Sequence, residues 1–115
     1  MNNTNVLDSW TAVAFSKDNQ MGDDSVVLCR QSTLAQNGNI ETYYNFGNVA
    51  GIVNASRPRI GLFDGLINVS NRFLVCQFSR QNSLPEIQNK FFDINSPNVY
   101  NILIASGATN HLGKL

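Results

Sequence analysis

Charge is scarce in this 115-residue chain. Eight basic and eight acidic residues make up 14% of it and cancel. A globular domain ordinarily carries about a quarter charged residues, and a protein that grips phosphates carries a basic excess, so nucleic acid is disfavoured as a partner. Histidine is almost missing, with His111 standing alone. No serine or cysteine sits in a nucleophile-elbow setting, no glycine loop is spaced to cradle phosphate, and CxxC and HxxxH spacings are absent. The parts of a self-contained hydrolase or transferase are not there. "GDD" offers Asp23 and Asp24 as oxygen donors, but two adjacent carboxylates fall far short of a calcium shell of about six to eight oxygens, and turn-making explains them better. No apolar run approaches the roughly 20 residues of a membrane helix. "MNNTNVLDSW" has neither the basic start nor the apolar stretch of a signal peptide.

What is present is an ordinary apolar content, 43%, enough for one modest core. Asparagine and serine fill the polar places, a tilt toward a secreted domain. Three Asn-x-Ser/Thr sequons begin at Asn2, Asn54 and Asn68. Two cysteines, Cys29 and Cys76, admit one disulfide where the compartment oxidises, or two buried free thiols.

No segment carries a period of 3.6; alternation and turn signals dominate instead. "SWTAVAFS" (9–16) is apolar on both faces, the pattern of a central strand covered on both sides. "SVVLCRQ" (25–31) completes a hairpin with it. After the Asn37-Gly38 turn signal, "NIETYYNF" places Ile40, Thr42, Tyr44 and Phe46 on one face. "GNVAGIVNASRPRIGLFDGL" is glycine-punctuated and reads as irregular, with room for short edge strands. "NRFLVCQFSR" (71–80) puts Leu74, Cys76 and Phe78 on one face, "SLPEIQNKFFDINSPN" reads as a long connection able to hold a helical turn, and "VYNILIASG" (99–107) reads as a last buried strand. The expected class is all-β, a sandwich.

Met21 is the anomaly. It stands in "FSKDNQMGDDS", among residues that offer no apolar face, although a thioether ordinarily fills gaps in cores. It is a chance exposed residue, or its loop folds back under the body, or it meets something that is not protein.

"SWTAVAFSKDNQMGDDSVVLCR", followed in order by "ETYYNFGNV", "GLINVSNRFLVCQFSR", a proline-bearing connection and "YNILIASG", resembles the DOMON domain. The likeness is to the extracellular DOMON domains of ferric-chelate reductase-like proteins, also called stromal cell-derived receptors. It covers residues 9–107 of a single domain spanning 1–115. The Met-Gly-Asp-Asp loop together with Cys-x-Phe-x-Arg is its most specific part. The resemblance implies an immunoglobulin-like β-sandwich outside the cell or at its surface, often attached to a transmembrane b-type cytochrome in a longer protein. Some members hold haem b between a methionine and a histidine and relay electrons, a ligand pair that raises the haem potential. Others lack haem and bind a sugar, a small molecule or a protein partner. Met21 falls on the position of the ligating methionine. With the extracellular setting the resemblance implies, the sequons make Asn54 and Asn68 expected glycosylation sites, and Cys29 and Cys76, both on strands that read as buried, are expected to pair in a disulfide worth on the order of 4 kcal/mol.

Two departures qualify the match. Family domains carry one or two strands and a cysteine before "SWTAVAFS", so the sandwich is expected to lack its first strand or strands. The family histidine follows a Gly-x-aliphatic step, which here is Gly113-Lys114-Leu115. That register puts the ligand just past Leu115 and makes His111 a doubtful second candidate. In an extended strand the two positions face opposite ways and lie roughly 20 Å apart. One iron cannot use both, and the later position is the expected ligand.

Overall fold

The computed structural model describes residues 9–17, 23–31, 39–46, 49–70 and 73–108. Seven strands account for most of them: β1 (Ser9–Ser16), β2 (Ser25–Gln31), β3 (Asn39–Phe46), β4 (Val49–Ile52), β5 (Leu62–Ser70), β6 (Phe73–Arg80) and β7 (Asn101–Ala108). One 3-10 turn, Pro85–Ile87, is the helical turn expected in the long connection, and it starts where proline's missing N–H costs nothing. The class is the expected all-β sandwich. A five-stranded antiparallel sheet runs β4-β3-β2-β1-β7, and a two-stranded sheet pairs β5 with β6.

Register explains which residues form the core. Val13 lies opposite Val27 on β2 and Ile104 on β7, and Val27 lies opposite Thr42 on β3. One face of the large sheet therefore carries three cross-strand rows: Ile102, Phe15, Ser25 and Tyr44; then Ile104, Val13, Val27 and Thr42; then Ser106, Thr11, Cys29 and Ile40. Strand side chains alternate, so each row comes from every second residue. β5 and β6 lie over the β2–β3 half of this face. Val27, Cys29 and Ile40 pack there with Val13, and with Leu62, Ile67, Cys76 and Phe78 from the smaller sheet. β1 is central in its sheet, with β2 on one side and β7 on the other, but it is not covered on both faces as expected: only Ser9, Ala14 and Ser16 are buried along it.

Two further expectations are corrected. Residues 99–107 are not a buried strand: the strand begins at Asn101, lies at the sheet edge, and leaves Val99, Ile102 and Ile104 exposed. The apolar sequence is there, but no described element covers its inward side. The stretch ending in "GLFDGL" is not wholly irregular, because β5 begins at Leu62. Its register breaks between Phe63 and Leu66, where Asp64 takes a left-handed backbone (φ 56°). That bulge interrupts the period of two that would have marked the strand.

Candidate functional site: one end of the sandwich and the thiol pair between the sheets

Met21 and His111, the two candidate iron ligands, both lie outside the described residues, so the site can be built only from what flanks them. The loop that holds Met21 leaves β1 after Ser16 and re-enters at Asp23. Asp23 also takes a left-handed backbone (φ 57°), and its N–H donates to the Asn45 carbonyl at 2.8 Å. Asn45 N–H donates in turn to the Asp24 carbonyl at 3.1 Å. Asp23 and Asp24 thus extend the β2–β3 ladder past its end. Among the described residues no group of three or more His, Cys, Asp or Glu is placed to hold a metal ion.

The same end of the sandwich is walled with aromatic rings. Phe92 stacks on Tyr100 (centroids 5.6 Å apart, planes at 16°) and meets Tyr44 edge-on at 6.2 Å, while Phe15 meets Tyr100 edge-on at 6.3 Å. Such pairs favour offset or edge geometries through their quadrupoles. Lys17 Nζ sits 4.8 Å from the centre of the Phe92 ring, a cation on a π face. Burial first, then the carboxylates of Asp23 and Asp24, push the Tyr44 hydroxyl above its usual pKa.

Arg80, the last residue of the Cys-x-Phe-x-Arg run, organises this end. Its guanidinium lies 3.8 Å from the Phe91 ring centre and 4.9 Å from that of Phe15, and it donates to the Phe92 carbonyl at 2.8 Å and to Ser25 Oγ at 3.4 Å. Burial pulls its pKa down to about 10, against the opposing pull of Tyr100 and Asp93, which leaves it charged at neutral pH. Phe91 is fully buried, and the Gly61 backbone (φ 80°) passes so near that a Cβ there would collide with its ring. The motif thus has a structural meaning. Residues 76, 78 and 80 face inward at a spacing of two, and Arg80 bolts the small sheet to β2 and to the 91–100 connection.

Cys76, on the same face, meets Cys29. The two thiols come from opposite sheets, pack in one cluster, and both are free. Their mutual interaction first, then burial, pushes the Cys29 thiol up, while the same interaction draws the Cys76 thiol down against the opposing effect of burial. Of the sequons, Asn54 is tied into a turn: its Oδ1 accepts the N–H groups of Ser56 at 3.0 Å and Arg57 at 3.1 Å. Asn68 is exposed on β5 opposite Val75. Asn2 lies outside the described residues.

A feature the sequence reading missed is a cleft of about 290 Å³ beside the β5 bulge, lined by Ile40, Leu62, Phe63, Phe78 and the charged Arg59 and Asp64. The only available signal was the Asp-Gly interruption within "LFDGLI", which marks a bulge but not what it opens onto.

The chain is 29% identical over 107 residues to "Putative ferric-chelate reductase 1" of Danio rerio, covering 90% of this chain and 17% of that protein. It is 35% identical over 82 residues to the DOMON domain-containing protein FRRS1L of Mus musculus and 34% identical to that of Homo sapiens, each covering 68% of this chain and 25% of the relative. The chain therefore spans a quarter or less of the length of these relatives. No protein-family profile matches it, and no solved structure does. Sequence similarity and the all-β sandwich together identify the chain as a DOMON domain resembling those of the ferric-chelate reductase-like proteins.

Proposed function

We propose that residues 1–115 form one DOMON module of the haem b-binding, electron-relay type, working outside the cell or at its surface as part of a longer reductase-like protein that includes a transmembrane b-type cytochrome. In this reading the module is not an enzyme by itself. The observation that carries it is the position of Met21: it lies in the β1–β2 connection, whose flanks Ser16 and Asp23 stand at the aromatic end of the sandwich. Haem would supply single-electron chemistry, Met21 one axial sulfur, and the rings a wall that limits water.

The described residues fit only one side of such a site. β7 runs antiparallel to β1, so Ala108 lies opposite Ser9 while Asn101 lies opposite Ser16. The segment carrying His111 thus departs from the far end of β1, about 23 Å along the strand from the departure of the Met21 loop. Three residues beyond Ala108 extend at most about 11 Å. In this reading the partner ligand lies later in the chain rather than at His111. No electron-transfer step follows from these residues.

The test is an absorption spectrum of the purified chain titrated with haemin, oxidised and then reduced. The 115-residue chain should bind weakly, and His111→Ala should change little. Extending the chain with a histidine three positions past Leu115 should yield a low-spin spectrum, and Met21→Leu in that longer chain should abolish it. Tight low-spin binding by the 115-residue chain, lost on His111→Ala, overturns the assignment. Secretion through an oxidising pathway should also place glycans on Asn54 and Asn68, read as a stepwise mass loss in Asn54→Gln and Asn68→Gln.

The second reading, a haem-free recognition module, is favoured by the cleft at the β5 bulge. Its apolar walls with Arg59 and Asp64 suit a small molecule or sugar, although its volume sits at the lower limit of ordinary ligand pockets. A ligand whose protection against heating is lost in Asp64→Asn, with haemin inert in every length of chain, decides for this reading.

A further inference from the structure

Cys29 and Cys76 share one cluster but differ in burial. Cys29 is buried on the central strand β2, and Cys76 is half-buried on β6. They belong to different sheets and meet in the cluster where the two layers pack together. A two-stranded sheet is marginal alone, so whatever joins β6 to β2 decides whether the sandwich stays closed. Three inward residues of β6 make that join: Arg80 reaches Ser25, Phe78 enters the Val27 cluster, and Cys76 meets Cys29. Two of these contacts are fixed in kind. The third can change its covalent state.

We propose that Cys29 and Cys76 are a reversible redox clasp between the two sheets, in which Cys76 is the attacking thiol, Cys29 the resolving thiol, and a small disulfide of the oxidised-glutathione class the oxidant. The Cys76 thiolate attacks one sulfur of the oxidant, forming a mixed disulfide and releasing one thiol. Cys29 then loses its proton and attacks the Cys76 sulfur, forming the intersheet bond and releasing the second thiol. The protein gives up two protons and two electrons, and the oxidant disulfide takes them up to end as two thiols. The order follows from access and acidity. Cys76 is the more accessible of the two, and its neighbour Cys29 in the same cluster draws its pKa down, closer to the thiolate that such exchange requires. The inference is independent of haem and stands whichever functional reading holds.

The experiment equilibrates the whole chain in a series of reduced and oxidised glutathione ratios, blocks free thiols by alkylation, and reads mass and thermal midpoint. The expected result is a single intramolecular disulfide that appears cooperatively as the buffer becomes more oxidising, reverses on reduction, and raises the thermal midpoint. In Cys29→Ser the remaining Cys76 should become glutathionylated while the protein stays folded by tryptophan fluorescence. In Cys76→Ser the remaining Cys29 should resist under the same conditions. Two alkylatable thiols at the oxidising extreme, disulfide-linked dimers in place of the internal bond, or faster modification of Cys29 than of Cys76 would each overturn the proposal.

Discussion

Val27 and Ile104 occupy one cross-strand row of the same sheet face, yet Val27 is 2% exposed and Ile104 77%. Both are β-branched, and both point inward. The difference is the layer above. β5 and β6 roof the β2–β3 half of the face, whereas no described element roofs the β1–β7 half. The apolar face of a strand is thus only a capacity for burial, and its free energy appears where a second layer removes water.

That contrast can be broken most sharply at the closed half. Phe91→Ala removes a fully buried ring wedged against Gly61 and stacked by Arg80, and should cost about 3–5 kcal/mol by urea denaturation. A loss under about 1 kcal/mol would mean that the end of the sandwich contributes little and the closed half is not a core. Ile40→Ala, in the Val27–Cys29 cluster, should cost about 2–5 kcal/mol and should also widen the cleft that Ile40 lines. Arg80→Lys keeps the charge but loses the planar fork that reaches Phe92 and Ser25 together. One or two charge-assisted hydrogen bonds put the expected loss at about 1.5–3 kcal/mol. Wild-type stability in that variant would reduce Arg80 from a bolt to a surface residue.

The smallest effect belongs to the open half. Ile104→Lys should shift stability by no more than about 0.5 kcal/mol while lowering any tendency to self-associate through the β7 edge. If it costs more than about 2 kcal/mol, the open half is covered in solution, and the contrast between Val27 and Ile104 disappears.

Much of the closed half was legible in residues 25–31, 40–46 and 73–80, because alternation in an antiparallel strand writes its buried face directly into every second position. The same reading failed on 99–107, where apolar residues sit on an edge strand, and on the start of β5, where Asp64 breaks the period. Met21 illustrates a third limit. Its oddity is visible in the sequence, since a thioether without an apolar neighbourhood stands out, but its partner is not a local property of the chain.

By itself the sequence determined strands β1, β2, β3 and β6, the β1–β2 hairpin, the inward line of Cys76, Phe78 and Arg80, and the DOMON resemblance, because periodicity, turn chemistry and motif spacing are all short-range. Tertiary structure alone decided that β6 lies over β2, so that Cys76 meets Cys29 and Arg80 meets Ser25, and that Val27 is dry while Ile104 is wet. The physical reason is that burial and side-chain pairing between sheets depend on how layers stack. Residues that meet there lie 47 or 55 positions apart in the chain, beyond the reach of any local pattern.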